Sequence, residues 1–189
     1  MAEILFYNPI DMDKYDRFKK IAKDNDIEII EVGKDDLDYT IGHLLGIEGF
    51  SEEKKEIRDD DYDLNFDFTL FNGFENEELF NLLDTLRENE ASVQHKAGIT
   101  ENNVKWTLRE LLKENDREAK TMGLIYKINQ LIEKSENLAD KYGEDEKITK
   151  LIGEIGDYFN DSSIFEIETA KKYYLTLLDE TLRVEKENE

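Results

Sequence analysis

A chain of 189 residues with 39% hydrophobic and 11% aromatic content can bury a core unaided, and the absence of cysteine excludes disulfides, thiol nucleophiles and thiolate metal sites. A formal charge of −22 repels phosphate backbones and anionic bilayers, so neither a nucleic-acid nor a membrane partner is expected. No apolar run reaches the roughly 18 residues of a membrane span, and MAEILFYNP lacks a basic leader, so a cytoplasmic location is expected. The acidity is front-loaded, with 11 basic and 26 acidic residues through Thr100 against 14 and 21 from Glu101 onward. Such a surface reads first as a solvated one.

In chain order, Glu3 to Tyr7 is a short apolar run closed by Asn8 and Pro9, the pattern of a buried strand and its turn. Asp11 to Lys23 places Met12, Tyr15, Phe18, Ile21 and Ala22 at helical spacing, with Asp11 as cap. Ile27 to Val32 before Gly33 predicts a second strand. Asp35 or Asp36 then caps a predicted helix carrying Leu37, Ile41, Leu44 and Leu45. Gly42, Gly46 and Gly49 punctuate its end; they fit neither a Walker loop nor a dinucleotide fingerprint. Ser51 to Asp63 is nearly all charged and predicts an exposed loop. Asp59, Asp61 and Asp63 imitate the start of a calcium loop, but Leu64 and Leu70 stand where its glycine and glutamate belong, so no ion is expected.

Phe66 to Phe71 predicts the next strand, Glu75 to Glu90 a helix, and Ser92 to Ile99 a fourth strand. Thr100 is positioned as the N-cap of a helix from Glu101, on which Trp106, Leu108, Leu111 and Leu112 form an apolar stripe. Unbroken to Tyr142, that helix would be roughly 60 Å long, with Gly123 a place to bend. Two more amphipathic helices follow, one on Ile148, Leu151, Ile152, Ile155 and Phe159, the other on Ile167 to Leu182 with Ser163 as cap. The expected fold is α/β: a four-stranded mainly parallel sheet with flanking helices over residues 1–118, followed by an all-helical extension over 119–189. The extension must bury its stripes in an antiparallel bundle or against a second copy of the chain, so a homodimer is one expectation.

Several motifs carry a resemblance. ILFYN at Ile4 to Asn8, Gly42, Leu44, Gly46, Glu48, Gly49 and Phe50, the strand ending in Gly73 and Phe74, and Lys96, Thr100, Asn103 and Trp106 together resemble the bacterial domain-of-unknown-function family 3783. The resemblance covers about the first two thirds of the chain. It implies a domain and brings no activity with it.

If the strand order is 2-1-3-4 and all strands run one way, the winding reverses between the first and third strands, where doubly wound sheets hold ligands. Asn8, Asn72, Gly73, Lys96, Thr100 and Asn103 would converge there, a polar set with one cation beside a helix N-terminus suited to a small anion. His43 and His95 lack the spacing of a metal or acid–base pair, and Pro9, the only proline, cannot serve as the cis-proline of a thioredoxin-like fold. No cofactor, metal or catalytic set is expected. The sequence therefore favours a non-enzymatic interaction or regulatory module that meets a protein partner, or itself, through its C-terminal helices. The alternative is a binder of, or enzyme for, a small anion at the strand ends.

Overall fold

The run EILFY offers water no polar face, and in the computed structural model it forms β1 (Glu3–Tyr7), buried from both sides. Ile4 and Phe6 point to one layer of helices, Leu5 and Tyr7 to the other. The structure describes residues 2–51, 54 and 62–188. The chain divides into two units, Met1–Arg117 and Glu118–Glu189.

In the first unit β1 is followed by α1 (Met12–Asp24), β2 (Glu28–Val32), a 3-10 turn at Lys34–Asp36, α2 (Ile41–Leu44), β3 (Phe68–Asn72), α3 (Asn76–Glu88) and β4 (His95–Gly98). The four strands form one mixed sheet in the order β2-β1-β3-β4. β1 pairs with β2, and β3 with β4, in parallel, while the central β1–β3 pair is antiparallel, with Glu3 opposite Asn72 and Tyr7 opposite Phe68. The mainly parallel sheet with flanking helices is thus present, with one correction: β3 opposes β1. The chain enters β3 from the end at which β2 stopped, and the described residues of the link between them carry a 3-10 turn and the four-residue α2 in place of a long crossover helix.

One local expectation also changes. The helix predicted from Asp35 or Asp36 is instead a 3-10 turn, then α2 capped by Thr40, whose side chain accepts from the His43 N–H. Gly46 ends α2 at φ +64, and Gly42 allows the Phe50 ring against the backbone, where a Cβ would lie 2.4 Å from it. Of the expected calcium-like run, Asp59 and Asp61 lie outside the described residues; Asp63 is exposed and accepts from the Asn65 N–H.

One face of the sheet packs α1 and α3 through Tyr15, Phe18, Ile21, Leu82 and Leu86 around Ile4, Phe6 and Phe71. The other carries Leu37, Ile41, Leu45, Leu64 and the first turns of α4 (Leu108–Tyr142), with Leu108, Leu111 and Leu112 on Leu5, Tyr7, Phe68 and Leu70. Each such buried apolar side chain contributes about 1.5–3 kcal/mol.

An antiparallel central pair with both connecting helices on one face gives this unit a local two-fold axis normal to the sheet, passing between β1 and β3. Both α1 and α3 have 13 residues and start 64 positions apart. Their ends correspond closely: Asp11 and Glu75 begin them, Asn25 and Asn89 cap them, and Asp26 and Glu90 follow at φ 55 and 54. Asn25 Nδ2 donates to the Ile21 carbonyl and Asn89 Nδ2 to that of Thr85, both at 2.8 Å. At the strand ends Asn8 and Gly73 correspond, each with positive φ.

In the second unit the end of α4, α5 (Glu146–Asn160) and α6 (Ile167–Glu187) bury their stripes on one another around Ile128, Leu131, Ile155, Ala170, Leu177 and Val184. Between the two expected arrangements, the helices form a bundle within one chain. Asp145 caps α5, accepting from Lys147 and Ile148 N–H, and pairs with Arg183 at 2.7 Å. Ser163 does not cap α6: it lies in a 3-10 turn, and the Tyr158 hydroxyl closes the helix start by accepting from the Glu166 N–H and donating to the Glu166 carbonyl. Ser135 and Thr181 meet through their hydroxyls at 2.9 Å inside the bundle. Among the described residues no helix is long and apolar enough to cross a membrane.

Candidate functional site

The antiparallel β1–β3 pair separates the residues expected to converge. Asn8 follows the carboxyl end of β1, where its amide donates to the Phe66 carbonyl at 3.3 Å. Asn72 and Gly73 close β3 at the opposite end of the sheet, and Asn72 donates to the Glu3 carboxylate at 2.7 Å. Five residues of strand, roughly 16 Å, lie between Asn8 and Asn72. Thr100 and Asn103 follow β4 and share the Asn72 end, since β3 and β4 are parallel. Lys96 bends back toward the start of its own strand, where its ammonium donates to the carbonyls of Val93 at 2.9 Å and Gln94 at 3.3 Å. Burial holds that amine below the usual lysine range.

The helix N-terminus expected at Glu101 is also elsewhere. Thr100 Oγ1 accepts from the Asn103 N–H at 3.0 Å while Asn103 Oδ1 accepts from the Thr100 N–H at 2.8 Å, a reciprocal cap around a 3-10 turn at Asn103–Lys105. Asn103 Nδ2 also donates to the Gly98 carbonyl at 2.9 Å, pinning the turn to the end of β4. Seven residues on from Thr100, a second cap starts α4: Thr107 Oγ1 accepts from the Glu110 N–H, and the Glu110 carboxylate accepts from the Thr107 N–H. Thr107 and Glu110 fit the S/T-x-x-E signature, the signal in the sequence that marks the true start. The first α4 N–H groups are taken as well, Leu108 by the Tyr39 carbonyl and Arg109 by that of Leu37. An anion has no donors left to meet there.

What these corners position is Trp106. It stands between the two caps, outside the helix and outside the core stripe on which it was expected, and it is 36% exposed. Its backbone is fixed on both sides, the N–H donating to the Asn103 carbonyl at 3.1 Å and the carbonyl accepting from the Ile41 N–H at 2.8 Å. The indole opens a groove of about 240 Å³ with Glu110, Lys113, Glu114 and Arg117. Arg117 pairs with Glu114 at 3.8 Å, and both Lys113 and Arg117 lie within 6 Å of the Tyr62 ring. Two acids and two bases line the groove, so it is charge-balanced on a chain of −22.

A second concavity, about 360 Å³, sits at the carboxyl ends of β1 and β2 and is lined by Tyr7, Lys34, Leu37, Tyr62, Asp63, Leu64, Asn65 and Arg109. Arg109 pairs with Asp38 at 2.8 Å, and the Tyr7 hydroxyl donates to the Leu64 carbonyl; burial raises its pKa. Among the described residues no group of three or more His, Asp and Glu side chains could hold a metal ion.

Residues 67–122 match the model of a family described as Domain of unknown function (DUF3783). The matched stretch runs from β3 through α3, β4 and both caps into α4, and so contains Lys96, Thr100, Asn103 and Trp106. The Ile4–Asn8 and Thr40–Phe50 motifs lie outside it. No curated protein and no solved structure matches the chain.

Proposed function

We propose that this protein is a non-enzymatic interaction module and that Trp106, with the groove beside it, is the contact it offers to a protein partner. One observation carries the reading. Of the four residues in the Lys96, Thr100, Asn103, Trp106 pattern, Thr100 and Asn103 build the β4–α4 corner by their hydrogen bonds, Lys96 bonds back at the start of β4, and Trp106 is left exposed on a backbone held at both ends. An aromatic side chain presented this way loses little conformational entropy when a partner covers it, the property that makes tryptophan and arginine frequent anchors. The local charge balance adds to this, since the rest of so acidic a surface repels most acidic proteins. Both a different protein and a second copy of the chain fit the face.

Affinity capture with the wild-type chain and with Trp106→Ala, followed by reconstitution of any captured protein from purified components, tests the reading. A captured species that binds the purified wild type and loses at least tenfold in affinity for Trp106→Ala supports it. Equal affinity for both sinks it. Sedimentation of the two chains over a dilution series reads self-association in the same terms.

A second reading, binding of a small anion, is favoured by the concavity carrying Lys34 and Arg109 at the carboxyl ends of the parallel pair β1 and β2, where such sheets place ligands. A thermal-shift screen of phosphorylated and carboxylated metabolites tests it, because a ligand at 100 times its Kd adds about 2.7 kcal/mol. Stabilisation that disappears in Lys34→Ala would favour this reading over the first.

A further inference from the structure

We propose that the cleft between the end of α1 and the side of α3 receives an arginine side chain from a partner polypeptide. The local two-fold axis supplies the comparison. In the first half of the unit, α1 sends Arg17 to the turn that ends α3, where Nη2 donates to the Glu90 carbonyl at 3.0 Å. Lys14, one turn earlier, pairs with Asp67, the residue before β3. The axis carries Arg17 to Asn81, Lys14 to Glu78, Asp67 to Ala2 and Glu90 to Asp26. The second half therefore repeats the receiving turn, with Asp26 at φ 55 against 54 for Glu90, and among the described residues puts no cation opposite it.

The outcome is a cleft of about 320 Å³ lined by Ala2, Asn25, Ile27, Phe74, Glu78 and Asn81. Where the first half has a lysine, this one has a carboxylate, and where it has an arginine, an amide that stops short. A guanidinium matches what remains: planar donors for the Glu78 carboxylate and for the turn at Asp26, and a face to lie near the Phe74 ring. A lysine ammonium would serve the carboxylate alone. The cleft shares no residue with the Trp106 groove, so the two surfaces stand or fall separately.

The test is a titration of the full-length 15N-labelled chain with Ac-Gly-Arg-Gly-NH2, and in parallel with Ac-Gly-Lys-Gly-NH2, followed by amide chemical shifts. The arginine peptide should give saturable shifts centred on Ile27, Glu78 and Asn81, with Kd of about 1–10 mM, and the lysine peptide should bind at least fivefold more weakly. Asn81→Arg, which supplies the missing side chain from within, should abolish those shifts and raise the melting temperature. Glu78→Gln should weaken binding severalfold and serves as the deciding variant if Asn81→Arg does not fold. Equal binding of both peptides, shifts scattered over the acidic surface, or unaltered binding by Glu78→Gln would overturn the proposal.

Discussion

Replacing Asn103 by alanine should cost the first unit about 2–3 kcal/mol, because one side chain closes the β4–α4 corner from two directions. Asn103 is 7% exposed; its Oδ1 accepts from the Thr100 N–H and its Nδ2 donates to the Gly98 carbonyl. Each such bond contributes about 1 kcal/mol net, and truncation also strands two half-buried backbone groups, which sets the upper end of the range. The assay is urea unfolding followed by fluorescence. Trp106 is the only tryptophan and lies in the first unit, so its signal reports that unit and not the helical bundle. With a urea slope of about 1–3 kcal/mol/M for a domain of this size, the midpoint should fall by about 1–2 M at unchanged slope. Asn103→Asp keeps the acceptor but turns a carboxylate toward the Gly98 carbonyl, and should resemble the alanine variant. Thr100→Ser keeps the reciprocal hydroxyl and should stay within about 0.5 kcal/mol of wild type. An Asn103→Ala chain within that same margin would refute the claim that this corner is held by Asn103.

Gly42→Ala should destabilise by about 1–3 kcal/mol through the clash with the Phe50 ring, and the penalty should shrink when Phe50 is also alanine; an equal penalty in both backgrounds would place the strain elsewhere. A carbon-detected titration of the lysines should find Lys96 deprotonating below 10.5, because burial lowers its pKa; with the folded value the lower one, loss of this proton favours folding as pH rises through that window. A Lys96 midpoint at or above 10.5 would contradict the desolvation of its amine at the Val93 and Gln94 carbonyls. Asp145→Ala should cost the bundle about 1–2 kcal/mol as a lost α5 cap. The Arg183 hydrogen bond holds the Asp145 pKa below 3.8, so its contribution is present above that value and fades as pH falls through the lower folded one. Acid unfolding of Asp145→Ala that parallels wild type at every pH would show that the carboxylate contributes nothing.

Periodicity conveyed what depends on periodicity. β1, α1, α3 and the two final helices lie within a few residues of where apolar spacing puts them, since burial of one face decides such elements. Strand direction is not written in that spacing. An apolar run reads the same in either sense, and where apolar spacing predicts a helix from Asp35 or Asp36 as the crossover, the described residues hold a 3-10 turn and the four-residue α2. Once β3 turned over, Asn8 and Asn72 parted to opposite ends, and the expected convergence of Asn8, Asn72, Gly73, Lys96, Thr100 and Asn103 with them. Two capping signals close together hid the α4 start: Thr100 is a genuine cap, but of a 3-10 turn, while Thr107 with Glu110 caps the helix. Trp106 fell between them, where helical spacing misassigned it to the core. The repetition of α1 in α3 was also present in the sequence, in paired Asn25 and Asn89 and in equal helix lengths, but a different side chain at nearly every surface position masks it.

The role assigned to Trp106 can be measured without knowing the partner, because the chain has one tryptophan. 5-Fluorotryptophan incorporated there gives a single 19F resonance in the purified protein, and the spectrum is then recorded in clarified lysate of the source cells. Lysate should shift or broaden this resonance, excess unlabelled wild-type chain should restore it, and the same excess of folded Trp106→Ala should not. A resonance unchanged by lysate, or restored equally by both competitors, would contradict the claim that this face is where the protein meets its partner.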